Sequence, residues 1–253
     1  MSPTVAACQM AVTDLAVETN LETVLDRVAG LPDRVDVACF PELALTGFVP
    51  DERAVTAAVS RDGPELAQLR AAAADAGTDL LVGFVEDAGD CYNAAAYVRA
   101  GGETVVYRKR HRWAGEQAVL EAGDELVTLE TPLGATGVLT CYDLNFVQDS
   151  ATLVEEGVDA LLVIGAWPAT HAANWRLLVR ARALDGVRWA VGTGRTGRRD
   201  VADAHTMAYA GRSLVARPDG GVRAALDTAE RDLVADLDPA VLRRQRDLVG
   251  VYD

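Results

Sequence analysis

Residues 137–146 read Gly-Val-Leu-Thr-Cys-Tyr-Asp-Leu-Asn-Phe. The apolar run Val138-Leu139-Thr140 stops at Cys141 and gives way to Tyr142, Asp143 and Asn145. That is the pattern of a buried strand carrying a thiol to its exposed end, where a polar loop takes over. Loops at strand ends combine a rigid base with access for solvent and substrate, so chemistry collects there. A thiol becomes a nucleophile when a nearby cation lowers its pKa. Taken alone, a cysteine in this setting is more often a small core residue. The surrounding chain decides between the two.

Downstream of this stretch, the pattern predicts a helix over 147–156 closed by Gly157, then a buried strand from Val158 to Ile164 that ends in Trp167-Pro168. A helix from Ala172 to Leu184 and a strand from Arg188 to Thr193 follow. Residues 206–237 read as short antiparallel strands with a turn at Pro218-Asp-Gly-Gly221; Pro239 opens a last helix, and 247–253 form a tail. Upstream, the first strand covers 4–10, and apolar residues at 21, 24, 25 and 28 give helical spacing. A strand over 35–40 runs into Pro41-Glu42, which places Glu42 just past its end, since proline cannot donate to a ladder. Pro64 opens a helix that Gly77 closes. Strands follow at 79–85, 92–99 and 103–108, the last two joined by Gly101-Gly102 as a hairpin, with Lys109 at the end of the third. Residues 110–124 read as a long loop with at most one turn of helix. Strands alternating with helices, followed by a β-rich stretch, indicate an α/β chain with a mixed sheet and helices packed on it, organised as one domain over 1–253.

Composition narrows the function classes. The chain has 253 residues, half of them hydrophobic, enough for a full core and too many for general disorder. No apolar run approaches the roughly 18 residues of a membrane span, and the first residues lack the pattern of a secretory signal. Cys8, Cys39, Cys91 and Cys141 show no CxxC spacing, so free thiols are expected rather than disulfides or a zinc site. These features predict a soluble, cytoplasmic protein. The formal charge of −14, from 38 acidic and 24 basic residues spread along the chain, excludes a nucleic-acid surface. Abundant Asp and Glu with a single lysine suggest adaptation to high salt, where screening removes self-repulsion. A chain that keeps Lys109 as its one lysine needs an ammonium there.

Glu42, Lys109 and Cys141 each fall just past a strand end. Together they are a carboxylate, an ammonium and a thiol, the set for a thiol hydrolase that works without histidine. The carboxylate takes and returns a proton, while the ammonium favours the thiolate and stabilises an oxyanion. The alternative in residues alone is a Cys–His hydrolase with His111 or His171 as base, His205 reading as plain surface.

Three segments carry a resemblance: Phe40-Pro-Glu42-Leu-Ala-Leu-Thr-Gly-Phe48, Tyr107-Arg-Lys109-Arg-His111 and Gly137-Val-Leu-Thr-Cys141-Tyr-Asp-Leu. In order and separation they resemble the signature segments of the nitrilase (carbon–nitrogen hydrolase) superfamily. Val5-Ala-Ala-Cys-Gln9, Tyr92-Asn93, Glu116 seven residues before Gly123-Asp124, Gly165-Ala-Trp-Pro168, Asn174-Trp175, Arg180-Ala-Arg-Ala-Leu184, Gly211-Arg-Ser213 and Pro218-Asp-Gly220 extend it over residues 4 to about 246. The resemblance implies a four-layer α-β-β-α sandwich with mixed sheets, commonly paired as a homodimer or higher homo-oligomer through helices beside the site. It implies Cys141 as nucleophile, Glu42 as general base, Lys109 with the Tyr142 N–H at the oxyanion, and Glu116 as a second glutamate that positions substrate. It implies no metal or organic cofactor.

The expected reaction is hydrolysis of a small linear amide, an ω-amide of a carboxylic acid above all, with N-carbamoyl compounds and nitriles as alternatives. A catalytically silent scaffold is the non-enzyme alternative, and retention of all four residue types argues against it. Tyr142, Trp167 and Arg195 are expected at the substrate. Arg195 lies in Arg195-Thr-Gly-Arg198-Arg199-Asp200, a glycine-bearing loop with three arginines in an acidic protein, where guanidinium forks suit a substrate carboxylate. Two segments depart from the pattern that many members carry: Asn145-Phe-Val-Gln148 stands for Arg-Phe-Pro-Glu, and Ala122-Gly123 for Pro-Gly; the loss of charge at 145 and 148 bears on substrate contacts and local salt bridges.

Overall fold

Side chains along a strand alternate between its two faces. In β1 (Thr4–Gln9), Ala6 and Cys8 enter one apolar cluster, while Val5 and Ala7 enter another. A strand buried on both faces belongs to a sheet covered on both sides, and the computed structural model, which describes residues 2–250, has that construction throughout. Chain order continues with α1 (Val17–Gly30), β2 (Val37–Cys39), α2 (Glu52–Thr56), α3 (Pro64–Ala76), β3 (Asp79–Ala88), β4 (Asp90–Val98) and β5 (Thr104–Arg108). Next come β6 (Val127–Thr131), β7 (Gly134–Thr140), α4 (Val147–Glu155), β8 (Ala160–Gly165), α5 (Ala172–Asp185) and β9 (Trp189–Gly194). The last elements are β10 (Arg198–Arg199), β11 (Met207–Ala208), β12 (Leu214–Ala216), β13 (Val222–Ala225), β14 (Arg231–Asp236) and α6 (Pro239–Val249).

Two six-stranded sheets result, ordered β14-β1-β2-β3-β4-β5 and β13-β12-β9-β8-β7-β6. In each, three consecutive strands are parallel, β1-β2-β3 and β7-β8-β9, and antiparallel strands flank them. Parallel neighbours need crossover connections. Here α1, α3, α4 and α5 supply them, so helices line the outer face of each sheet. Leu21, Val24, Val28, Leu66, Leu69 and Ala73 pack on the first sheet, and Leu153, Trp175, Val179 and Ala183 on the second. Between the sheets, Val5, Val37 and Leu81 meet Val138, Leu162 and Val191. Each such buried Val or Leu contributes about 1.5–3 kcal/mol. The result is the expected four-layer α-β-β-α sandwich.

The same topology brings separated residues to one end. β5 is antiparallel to β4 and β4 to β3, so β5 runs in the direction of β2 and β3. The chain therefore leaves β2 toward Glu42 and β5 toward Lys109 at the same edge of the sheet. Gly83 on β3 lets the loop after β2 lie flat: a Cβ there would stand 2.5 Å from the Pro41 carbonyl oxygen and 2.7 Å from Glu42 Cα.

Some elements differ from expectation. Helix α2, capped by the Asp51 carboxylate on the Arg53 N–H, and edge strand β6 were not foreseen, both being five residues long with little periodicity to read. Helix α6 extends through Val249, where a tail was expected from 247; residues 251–253 of that tail lie outside the described residues.

Candidate active site

Glu42, Lys109 and Glu116 form one buried cluster, exposed at only 2%, 2% and 5%. Lys109 follows directly on β5, and Glu116 sits in a 3-10 turn over Ala114–Ala118 inside the long loop. Lys109 Nζ donates to Glu42 Oε1 at 2.7 Å and to both Glu116 oxygens at 2.9 Å. The three ammonium protons are therefore all taken. Asn93, on β4, donates its amide to Glu42 Oε1 at 2.8 Å and to Glu116 Oε1 at 2.5 Å. The Ala166 N–H, just past β8, donates to Glu42 Oε2 at 2.6 Å. Burial pushes the Glu42 carboxyl up, but Lys109, the Cys141 thiol and the Ala166 N–H outweigh it, and the group is held below its ordinary value. For Lys109, burial acts downward, and the Glu116 and Glu42 carboxylates more than reverse it.

Cys141 follows directly on β7 and opens a 3-10 turn over Cys141–Asn145. Its φ of +50° lies in the left-handed region that favours glycine, a conformation that costs of order 1–3 kcal/mol and persists only where the surroundings enforce it. Asp143 supplies that enforcement. Its Oδ2 accepts from the Thr140 N–H at 3.0 Å and the Tyr107 hydroxyl at 2.7 Å, and its Oδ1 from the His111 N–H at 2.9 Å. One buried carboxylate thus ties the residue before Cys141 to the residues two before and two after Lys109.

Cys141 is 7% exposed and lines the same cavity as Glu42. Burial, then the Glu42 carboxylate, push the Cys141 pKa well above its ordinary value, and Lys109 does not reverse this. The resting sulfur is a thiol, contrary to the thiolate expected from an adjacent ammonium. The reason is the charge count: two carboxylates surround one ammonium, and an added thiolate would leave a buried excess of negative charge.

A cavity of 360 Å³ opens on this cluster, lined by Glu42, Lys109, Glu116 and Cys141 with Phe48, Pro50, Met207 and Tyr209 among its apolar walls. A smaller hollow of 180 Å³ reaches Cys141 from another side, past Tyr142, Trp167, His171 and Asn174. Tyr142 and Trp167 therefore border a hollow that Cys141 also lines. Arg195 does not. Its guanidinium is 1% exposed, bonded to Asp14 at 2.9 and 2.7 Å and to the Val12 carbonyl, and it stacks 4.0 Å above the Tyr209 ring. Arg195 supports the cavity wall from behind, and Arg199, four positions on, lines the cavity instead. His205, expected as surface, is exposed and also lines it. His111 is turned to Asp149, 2.9 Å away, and stacks on Phe146 at 3.4 Å. Asn145 donates to the Tyr142 carbonyl at 3.1 Å and borders the smaller hollow.

Among the described residues, one group has metal-ligand types together: His111, Asp143 and Asp149, with ligand atoms within 4.8 Å of one another. Protein partners already engage both oxygens of each carboxylate: Arg110 and His111 on Asp149, and Tyr107, Thr140 and His111 on Asp143. Asn93, Asp143 and Arg199 were missed as site residues. Two signals pointed to Asn93: its place in the Tyr92-Asn93 segment of the resemblance, and a polar amide, a residue type depleted from strands, inside an otherwise alanine-rich strand.

The sandwich and the residues gathered around Cys141 define a class, and the chain belongs to the carbon–nitrogen hydrolase family, whose pattern matches residues 4–247. It is thus an enzyme of carbon–nitrogen bond hydrolysis, within the nitrilase superfamily that its three segments resemble. An (R)-stereoselective amidase of a Pseudomonas species is 28% identical over 222 residues, covering 87% of this chain and 80% of that one. An omega-amidase of Escherichia coli is 29% identical over 233 residues, covering 90% and 87%. Among solved structures, a CN-hydrolase superfamily protein of Xanthomonas campestris aligns with a TM-score of 0.87 at 22% identity over 99% of this chain and 96% of that one.

Proposed function

We propose that the protein is a thiol amidase that converts a small linear amide to the acid and ammonia. The observation that carries this reading is the Glu42 carboxylate, held low by the Lys109 ammonium 2.7 Å away and lining the same cavity as the neutral Cys141 thiol. That is a base poised beside an unactivated nucleophile. As Cys141 Sγ bonds to the amide carbon, its proton passes to Glu42. Neutralised Glu42 then holds the Lys109 ammonium less tightly, which frees an N–H for the oxyanion alongside the Tyr142 N–H. Collapse breaks the C–N bond, the proton on Glu42 leaves with ammonia, and a thioester stays on Cys141. Water adds to the thioester, Glu42 takes its proton and returns it to the sulfur, and the acid departs. Glu116, anchored by Lys109 and Asn93, borders the cavity and holds the substrate amide.

The wider setting belongs to the same proposal. Val147 on α4 and Leu177 and Leu184 on α5 are exposed at 57%, 63% and 55%, which supports pairing of two copies through these helices. Four free cysteines support a reducing, cytoplasmic setting. No helix among the described residues is long and apolar enough to cross a membrane.

The test is ammonia release from a panel of amides, carbamoyl compounds and nitriles at high salt, by the unaltered chain and by Cys141→Ala. Amides should turn over fastest, and Cys141→Ala should abolish turnover while the chain stays folded. Faster release from carbamoyl compounds or nitriles, or a Cys141→Ala chain of normal activity, would overturn the proposal.

A further inference from the structure

Among the residues lining the 360 Å³ cavity, charge is unevenly spent. The Lys109 protons go to Glu42 and Glu116. Arg199 differs. Only 5% exposed, it donates Nε to the His205 carbonyl at 2.9 Å and Nη1 to the Phe48 carbonyl at 3.2 Å. Both partners are neutral, Nη2 has no partner among the described residues, and no carboxylate there pairs with the guanidinium. Two other buried arginines each hold a carboxylate, Arg195 that of Asp14 and Arg182 that of Asp185. A buried cation without an anion is costly, and in a chain of net charge −14 one facing a cavity marks a place for an anion. The two main-chain carbonyls hold the fork in place while one edge remains for the ligand.

We propose that Arg199 is the cavity's carboxylate anchor, so that the preferred substrates are amides whose acyl chain ends in a carboxylate. The amide carbon meets Cys141 while the far carboxylate pairs with Arg199. Leu43, Phe48 and Met207 line the same cavity and suit the methylene groups between the two ends. The inference rests on the amidase reading and adds the substrate's charge to it. A buried positive group also offsets the repulsion that the acidic surface imposes on an anionic substrate.

The experiment compares the monoamide of succinic acid with its neutral isostere 4-methylpentanamide, on the unaltered chain, Arg199→Met and Arg199→Lys. The unaltered chain should favour the acid amide. Arg199→Met should lower the ratio of kcat/KM values, acid over neutral, by roughly 10- to 100-fold, mostly through KM, the scale of a charged hydrogen-bonded contact. Arg199→Lys should restore part of it. An unchanged ratio, or an unaltered chain that favours the neutral amide, would overturn the anchor while leaving the amidase reading intact. Calorimetric binding to Cys141→Ala, with and without Arg199→Met, separates the two readings. If no amide is hydrolysed but the acid amide binds in an Arg199-dependent way, the amidase reading falls and the anchor stands. Should the Arg199 variants not fold, Cys141→Ala alone decides: at least about tenfold tighter binding of the acid amide supports the anchor, and equal affinities overturn it.

Discussion

At Lys109, one ammonium serves two carboxylates, and its removal acts through Glu42. Without it, Glu42 loses the main influence holding it low and titrates higher. Lys109→Ala should therefore cost roughly 10²–10³-fold in kcat, the scale of a lost oxyanion donor. It should also move the acid limb of the pH–rate profile to higher pH. In the unaltered enzyme that limb should fall below the ordinary range of a glutamate carboxyl, because Glu42 must be ionised to take the thiol proton. His111→Ala, whose ring faces Asp149, should cost much less; the reverse order would restore histidine as base. Asp143 titrates in the other direction. Burial pushes it from 3.8 up to about 6, so its contribution to stability is full below 3.8 and is lost as pH rises through about 6. Asp143→Asn lacks this titration, so its melting temperature should gain on that of the unaltered chain across this window. A gap that stays constant with pH would mean that Asp143 does not titrate there.

The elements that matter most are the strand ends and what lets them approach. The loop after β2 reaches the site only because β3 presents Gly83 beneath it. In Gly83→Ala, the new Cβ meets main-chain atoms of Pro41, Glu42 and Leu43 at 2.5–2.7 Å, and none of these is a flexible tip that could move aside. The variant should lose about 1–3 kcal/mol of stability and also lose kcat, since the atoms displaced carry the base. Loss of stability with full kcat would show that Glu42 tolerates the shift. By contrast, Cys8→Ala and Cys39→Ala remove buried thiols remote from the cavity and should cost on the order of 1–3 kcal/mol of packing without changing chemistry.

Across the molecule, 38 acidic residues against 24 basic ones dominate the long-range field. Ion pairs such as Arg27–Asp232 and Arg246–Asp159 neutralise part of it locally, but the net charge remains −14. At molar salt the screening length falls to roughly 3 Å, and self-repulsion of the folded chain falls with it. Melting temperature and ammonia release should both rise as KCl is raised from low to molar concentration. A melting temperature that does not move would leave the acidic composition without that account.

Contiguous chemistry was legible in the chain alone. Strand and helix periods located most elements, and short segments that each end a strand with Glu42, Lys109 or Cys141 carried the nucleophile, the base and the ammonium, because those residues owe their placement to local structure. Short elements with few periodic residues, β6 and α2, left no such pattern. Choices among chemically equal partners were decided by the tertiary structure. Arg195 and Arg199 lie four residues apart with the same side chain, but Asp14, 181 residues from Arg195 along the chain, neutralises Arg195 and leaves Arg199 to the cavity. Likewise, the charge state of Cys141 depends on counting two carboxylates against one ammonium in a buried space, a sum that exists only once β2, β5 and β7 have met. Periodicity and motif report what a segment can do; which charge faces which is set by distances between segments.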